Sequence, residues 1–504
     1  LTAKQMNIVV IGLLLSIFTA SMDQTIVSTA MGTIVADLGG LDKFVWVTSA
    51  YLVTEMAGMP IFGKLSDMYG RKRFFIFGLC VFLLGSILCG TATSITQLSL
   101  YRAIQGIGGG SLMPIAFAIV FNIFPPDQRG KMGGLFGAAF GLSSVFGPLL
   151  GAYITDHFSW HWVFYINLPL GILSVVLISF FYKESKEHQK QNIDWWGAIT
   201  LVIGTVSLMF ALELGGNKFD WGSVQIIGLF TSFVIFFLLF LFAETRAIDP
   251  ILPFKLFRKR LFTASNLIGI FISIPFIVAI VFIPLYVQGV TGGTATRSGL
   301  ILLPLMVGTT VSSILGGSLI QKVSYRNTMI FSGFVMFIGM ILLSTITVNT
   351  HIGLLIVYVF FVGFGVGFSF SVLGTAAVHG LSPREFGSAS STLAFLRELG
   401  MTVGLTIYGA IQSHILKDEL HDLFRSMAKM GSAGQSQNPR VLLSPEVREH
   451  IPSNIIDHLV SGLSKSISHT FIWAIIPTVI ALICVFVMTN EKLIIEEKQT
   501  KQSF

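Results

Sequence analysis

The chain has 504 residues, 53% hydrophobic and only 11% charged, with a mean hydropathy of +0.79. Soluble domains carry roughly a quarter charged residues, so this composition excludes one. The net charge of +7 does not indicate a nucleic-acid partner, because the 32 Lys and Arg residues are sorted by loop along the chain.

About fourteen apolar stretches follow one another, each supplying the ~20 residues that a helix needs to cross the hydrocarbon core. Backbone groups in lipid must be satisfied within the segment, so spans of this length are helices and not barrel strands. The first runs from about Asn7 to Val35 and contains Asp23; it is too long for a signal peptide and lacks a cleavage pattern. The second, Phe44 to Lys64, contains Glu55, and the fourth, near Thr96 to Phe121, contains Arg102. Six spans end near Tyr182, and the charged segment Lys183 to Asn192 follows. Two more spans occupy about Asp194 to Leu214 and Ser223 to Ala243, before a basic, proline-containing stretch from Glu244 to Arg260. Six further spans finish near Thr489, and one of them, Gly387 to Ile415, holds Arg397 and Glu398 side by side.

The predicted fold is an all-α integral membrane protein. Residues 1–183 and 261–504 each form a six-helix bundle, and residues 184–260 form a linker with two additional spans. A polar segment at about 416–466 reads as a long outer loop between the thirteenth and fourteenth spans. Within it, Ile451 to Leu463 has helical apolar spacing and suits either a membrane-lying cap or a solvated loop.

With the N-terminus placed in the cytoplasm, cytoplasmic segments hold 21 Lys and Arg residues, short outer loops 3, spans 2 and the long polar segment the remaining 6. That bias puts both termini inside a cell membrane, with a bacterial cytoplasmic membrane expected. Cys80, Cys89 and Cys484 all fall in spans, and no disulfide, zinc or haem spacing exists. An internal repeat supports the two-bundle division. Gly130 and Gly147 are 17 residues apart, as are Gly387 and Gly404, and Gly63-Lys64-Leu65 echoes Gly317-Ser318-Leu319. Two halves related about the membrane normal, with a site between them, are a transporter architecture.

Charges inside a span are expensive and are usually kept for moving ions or substrates. Asp23 lies about 25 Å up the first helix, and Arg102 roughly 9 Å below the outer end of the fourth, so both reach the outer third. Pairing them lowers the cost of burial. Glu55, Arg397 and Glu398 come near the midplane. Three carboxylates against two arginines leave one acid without a basic partner. Burial disfavours the charged form of such an acid and lets it take up a proton. The protonated acid then releases an arginine or a cationic substrate, which is a coupling mechanism. Asp23, Arg102 and Glu55 form the expected proton-coupling set. A fixed Asp23–Arg102 ion pair and a neutral hydrogen bond from Glu55 to a neighbouring helix are the structural alternatives. The expected substrate-binding set is Glu55, Glu398, Arg397, Tyr51, Met56, Phe140 and Phe395. Adjacent Arg397 and Glu398 point about 100° apart on a helix, so one is expected to face the cavity and the other a neighbouring helix.

The loop between the second and third spans reads Gly63-Lys64-Leu65-Ser66-Asp67-Met68-Tyr69-Gly70-Arg71-Lys72-Arg73. Asp67 suits a cap for the helix that follows, and Gly70 suits a tight turn. This loop resembles the signature loop of the major facilitator superfamily. Met22-Asp23-Gln24-Thr25-Ile26-Val27 resembles the first-helix motif of the drug/proton antiporters in that superfamily. Arg102-Ala103-Ile104-Gln105-Gly106-Ile107-Gly108 resembles their fourth-helix motif, whose arginine is implicated in proton transfer. Gly147-Pro148-Leu149-Leu150-Gly151 resembles the fifth-helix antiporter motif. Trp160 to Pro169 resembles the entrance to helix six in the fourteen-helix branch. The chain departs from these patterns at Gly32 (usually proline) and Ser143 (usually glycine), and Gln321 and Tyr325 replace the acid and arginine in the second-half copy of the loop.

The resemblance implies a proton-driven exporter with alternating access, commonly for lipophilic cationic drugs. Gly63, Asp67, Gly70, Arg71, Gly147 and Pro148 are the implied conformational gate, with unequal gates in the two halves. The implied partners are lipophilic small molecules, protons and membrane lipids, but no nucleic acid, for a functional monomer driven by the proton gradient without cofactor or metal. An exporter of lipid or another endogenous amphiphile is the second reading. The Gly130-Lys131 pair is followed by Met132 and preceded by Pro125, so no phosphate-binding loop of an ATP-driven pump is present. A potassium-channel filter, an enzymatic metal or carboxylate cluster and the glutamate-rich motif of peptide importers are likewise missing from the sequence.

Overall fold

The computed structural model describes residues 2–39, 45–184, 193–216, 218–252, 254–293, 295–429 and 453–492. Most of the charged segment after the sixth span and the centre of the polar segment, residues 430–452, lie outside the described residues.

Among the described residues, fourteen long helices account for the fold. The first bundle is α1 (Ala3–Leu38), α2 (Val45–Tyr69), α3 (Arg71–Cys89), α4 (Ile95–Ile123), α5 (Pro126–His157) and α6 (Asn167–Phe181), the last led in by a turn of helix at Trp162–Tyr165. The linker contributes α7 (Trp195–Leu214) and α8 (Val224–Arg246). The second bundle is α9 (Arg260–Gly289), α10 (Ala295–Leu319), α11 (Tyr325–Ser344), α12 (Ile352–Ala377), α13 (Phe386–Lys429) and α14 (Ser453–Val487). Among the described residues, twelve helices are long and apolar enough to cross a membrane by length and composition. The two outside that set, α2 and α13, are those that hold Glu55 and the Arg397–Glu398 pair.

Local chemistry sets many of the helix ends. Ser94, Asp194, Ser223 and Ser324 each accept a first-turn N–H, at α4, α7, α8 and α11 respectively. Gly70 has φ of +111°, which makes the α2–α3 turn possible. The α3 cap differs from the sequence expectation. Glu184, after α6, accepts from the N–H groups of Arg71 (2.6 Å) and Lys72 (3.2 Å), and Asp67 is engaged elsewhere.

Within each bundle the same pairings recur. In the first half α1 packs on α5 and α6, α4 on α2 and α3, and α3 on α6; in the second, α9 packs on α13 and α14, α12 on α10 and α11, and α11 on α14. The halves meet through α5 against α10 and α12, and through α13 against α2 and α4. The start of α1 and the end of α14 fall on one face, called here the terminal face.

The polar segment at 416–466 is not a loop throughout. α13 runs on to Lys429 and α14 starts at Ser453. Their extensions pack on each other through Leu416, Leu420, Leu459 and Leu463, with Lys465 bonded to Glu419 and Gln412 to Ser466. Polarity there reflects pairing between two helices beyond the apolar core. Ile456 to Leu463 is therefore part of the last long helix and not a separate surface cap.

Candidate functional site

Asp23 on α1 and Arg102 on α4 form a direct ion pair, with 0% and 1% of their side chains exposed. Asp23 also accepts from Gln105 (2.9 Å) and from Asn167 at the start of α6 (2.7 Å), and both of these donate to Ser86 on α3. Arg102 donates to Gln105 Oε1 (2.7 Å) and the Val47 carbonyl (3.2 Å), and its guanidinium lies 4.2 Å from the centre of the Tyr51 ring. Five helices thus converge on one carboxylate, and Tyr51 belongs to this network. A buried ion pair is tolerable in lipid only when its remaining hydrogen-bonding capacity is filled. Gln105, Asn167 and Ser86 do that, and sequence reasoning gave them no role.

Glu55 lies one residue's reach away: Gln24, next to Asp23, donates to it at 2.7 Å. No ion pair among the described residues includes Glu55, Arg397 or Glu398. The expectation of one unpartnered acid is corrected to two acids and one arginine. Arg397 instead donates to the Ser369 carbonyl (3.3 Å) and lies 4.4 Å over the Phe370 ring.

A cavity lies between the halves, walled by Met113, Phe117 and Phe121 of α4, Phe140 of α5, Ile272, Ser273 and Phe276 of α9, Val366, Ser369, Phe370 and Gly374 of α12, and Ser390, Leu393, Ala394, Arg397, Glu398 and Met401 of α13. Arg397 and Glu398 both line it, so the expectation that only one would face it is corrected. Phe140 is also in its wall. Met56 and Phe395 are elsewhere: with Val53, Met59, Ala198, Leu201 and Phe240 they fill an apolar cluster between α2, α13 and the α7–α8 pair. Gly109, which abuts Tyr51 and Glu55, stands one helical turn from Met113 and so connects network and cavity along α4.

The terminal face is closed. Asp67 accepts from the N–H groups of Gly387 (2.9 Å) and Ser388 (2.7 Å), the first residues of α13, and pairs with Arg71 at 2.9 Å. Arg71 also donates to the Pro383 carbonyl and to Ala118 O (3.1 Å). Asp67 is therefore a cap for a helix of the opposite half. A Cβ on Gly63 would come 2.9 Å from Gly387 O, and one on Gly130 would come 2.5 Å from Gly317 Cα. These two crossings use the very glycines of the internal repeat. Close approaches of α5 to α10 continue up to Gly141 against Met306, near mid-helix. Beyond that, Gly147, followed by the intrahelical Pro148, abuts Thr25 of α1 within the same half.

Two repeat-related helix bundles with buried charges and a cavity between them define a membrane carrier. The chain belongs to the Major Facilitator Superfamily, whose sequence pattern matches residues 13–405. It is a transporter and not an enzyme. It is 52% identical to Multidrug resistance protein 3 of Bacillus subtilis, over 100% of this chain and 99% of that one. It is 38% identical to the multidrug transporter protein MdtP of the same organism, over 92% and 88% of the two chains. Among solved structures, the human organic anion transporter MFSD10 matches with a TM-score of 0.58 at 14% identity, covering 95% of this chain and 100% of that one. An inward-facing bacterial homologue of the lysosomal transporter Spinster matches with a TM-score of 0.58 at 15% identity, covering 97% and 98%. At such identities these structures support the fold alone. Among the described residues no group of His, Cys, Asp and Glu is arranged to hold a metal.

Proposed function

We propose that this transporter is a proton-coupled antiporter that exports lipophilic, often cationic, drugs across the cytoplasmic membrane by alternating access, with both termini inside. The observation that carries the coupling is the Asp23–Arg102 pair, dry and held by Gln105, Asn167 and Ser86. The multidrug naming of a relative 52% identical along the whole chain supports the cargo class.

A proton on Asp23 removes the charge that holds Arg102. The freed guanidinium keeps its bonds to Gln105 and Val47 O, so the change is passed to α2 through Val47 and Tyr51. α2 also carries Glu55, beside Gly109 and one helical turn along α4 from the cavity-lining Met113, and Asp67 at the terminal face, so one helix joins protonation, cargo and gate. With the terminal face cytoplasmic and closed, the arrangement corresponds to the outward-facing side of the cycle. Gly63, Asp67, Gly70 and Arg71 act as the gate, and Gly147 and Pro148 keep α5 against the proton site.

Expression in a drug-sensitive bacterium tests the cargo class. The expected result is protection against ethidium-like cations, abolished by a protonophore. No protection, with a changed composition of cell-envelope lipid instead, would favour export of an endogenous amphiphile.

A further inference from the structure

Arg397 is 8% exposed and its guanidinium has no carboxylate partner among the described residues. Its adjacent Glu398 lines the same cavity without forming an ion pair with it. A dry cation with one carbonyl contact and one aromatic face is under-satisfied, because a guanidinium offers five donors. Two hydroxyls in the same wall, Ser369 (1% exposed) and Ser390 (7% exposed), also have no hydrogen-bond partner among the described residues. Three buried polar groups from two helices therefore line one aromatic chamber. A carboxylate is the group that fits them, since it accepts two parallel N–H bonds from an arginine and leaves lone pairs for hydroxyls. Phe276 and Phe370 offer ring faces for the body of the ligand, and Glu398 offers an anionic counterpart for an amine.

We infer that the cavity is built for zwitterionic aromatic amphiphiles, whose carboxylate is bound by Arg397, Ser369 and Ser390 while their amine end faces Glu398. This rests on the reading that the cavity takes cargo, and narrows that cargo from cations in general to molecules bearing both charges. A pure cation of equal size leaves Arg397 unpaired and brings a second positive charge beside it.

The test titrates purified full-length protein in lipid nanodiscs with a zwitterionic rhodamine and with its methyl ester, which differ only in whether the carboxylate is free. The native protein should bind the free acid at least about tenfold more tightly than the ester. Arg397→Gln should bring that ratio to about one, and Arg397→Lys should keep part of it. Arg397→Gln should keep near-native affinity for the ester while the ratio falls, so a general loss of fold, which removes binding of both dyes, does not imitate the effect. Should Arg397→Gln yield no folded protein, the Ser369→Ala, Ser390→Ala double variant takes its place, with a ratio lowered several-fold. Equal binding of the two dyes by native protein, or a ratio that neither variant alters, overturns the inference. Proton-driven export of the ester by the same full-length protein in proteoliposomes separates the two readings. If the ester is exported but the acid is not preferred, only the zwitterion inference falls; if neither dye binds or moves, the drug-export reading falls with it.

Discussion

Glu55 faces a choice between cargo and proton that its neighbours make explicit. Its side-chain hydrogen-bond partner is the neutral Gln24, and among the described residues no cation pairs with it. A cationic cargo that reaches it would stabilise its charge. Glu55→Gln should weaken export of cationic dyes by about tenfold relative to neutral ones of similar size, measured as flux in everted vesicles. Equal loss for both classes would assign Glu55 to the proton path instead. Residues of this kind were legible because a charge in an apolar run is costly wherever it points. Gln105, Asn167 and Ser86 were not, since neutral polar side chains are ordinary in membrane helices and declare themselves only through geometry. Asp67 shows the converse limit. Its spacing suits the next helix in the chain, but its acceptors' partners are 320 and 321 residues away.

At the scale of elements, the closed terminal face depends on helices that touch backbone to backbone. A leucine at Gly130 cannot be accommodated by a side-chain shift, because the atom it meets is Gly317 Cα. Gly130→Leu should hold α5 and α10 apart and leave the terminal face open. In a background without Cys80, Cys89 and Cys484, a cysteine introduced at Ser390 reports this through an impermeant maleimide added to inverted vesicles. Labelling should rise at least about tenfold and transport should fail; unchanged labelling with normal transport would contradict the crossing's role. A leucine at Gly222, where a Cβ meets nothing within 4 Å, is the control. Two of the glycine offsets that marked the repeat thus announced contacts, although the sequence could not say that Gly63 would meet Gly387 and Gly130 would meet Gly317 across the halves. The helical ends of the 416–466 segment were hidden for another reason: polarity looks the same whether water or a second helix satisfies it.

For the whole molecule, the two seams between the bundles are unequal. The α5–α10 seam is closed by glycines and presents Val307, Val311 and Leu315 outward, whereas the α2–α13 seam is covered by α7 and α8 and packed with Met56, Met59 and Phe395. This is where two of the expected cargo residues went: they serve the added helices. Fourteen helices and two halves could be counted from apolar runs, but not which seam the extra pair would cover, because both faces of that contact are equally apolar. What unites the molecule is α2, which contributes Val47 and Tyr51 to the Asp23–Arg102 network and Asp67 to the crossing with α13 at the terminal face. The measurement that tests this most directly is dye flux in proteoliposomes under an imposed pH gradient, comparing native protein with Asp23→Asn. The native protein should move dye against its concentration gradient, and the Asn variant, folded and inserted, should only let it equilibrate. Uphill transport of equal extent by both would contradict the account.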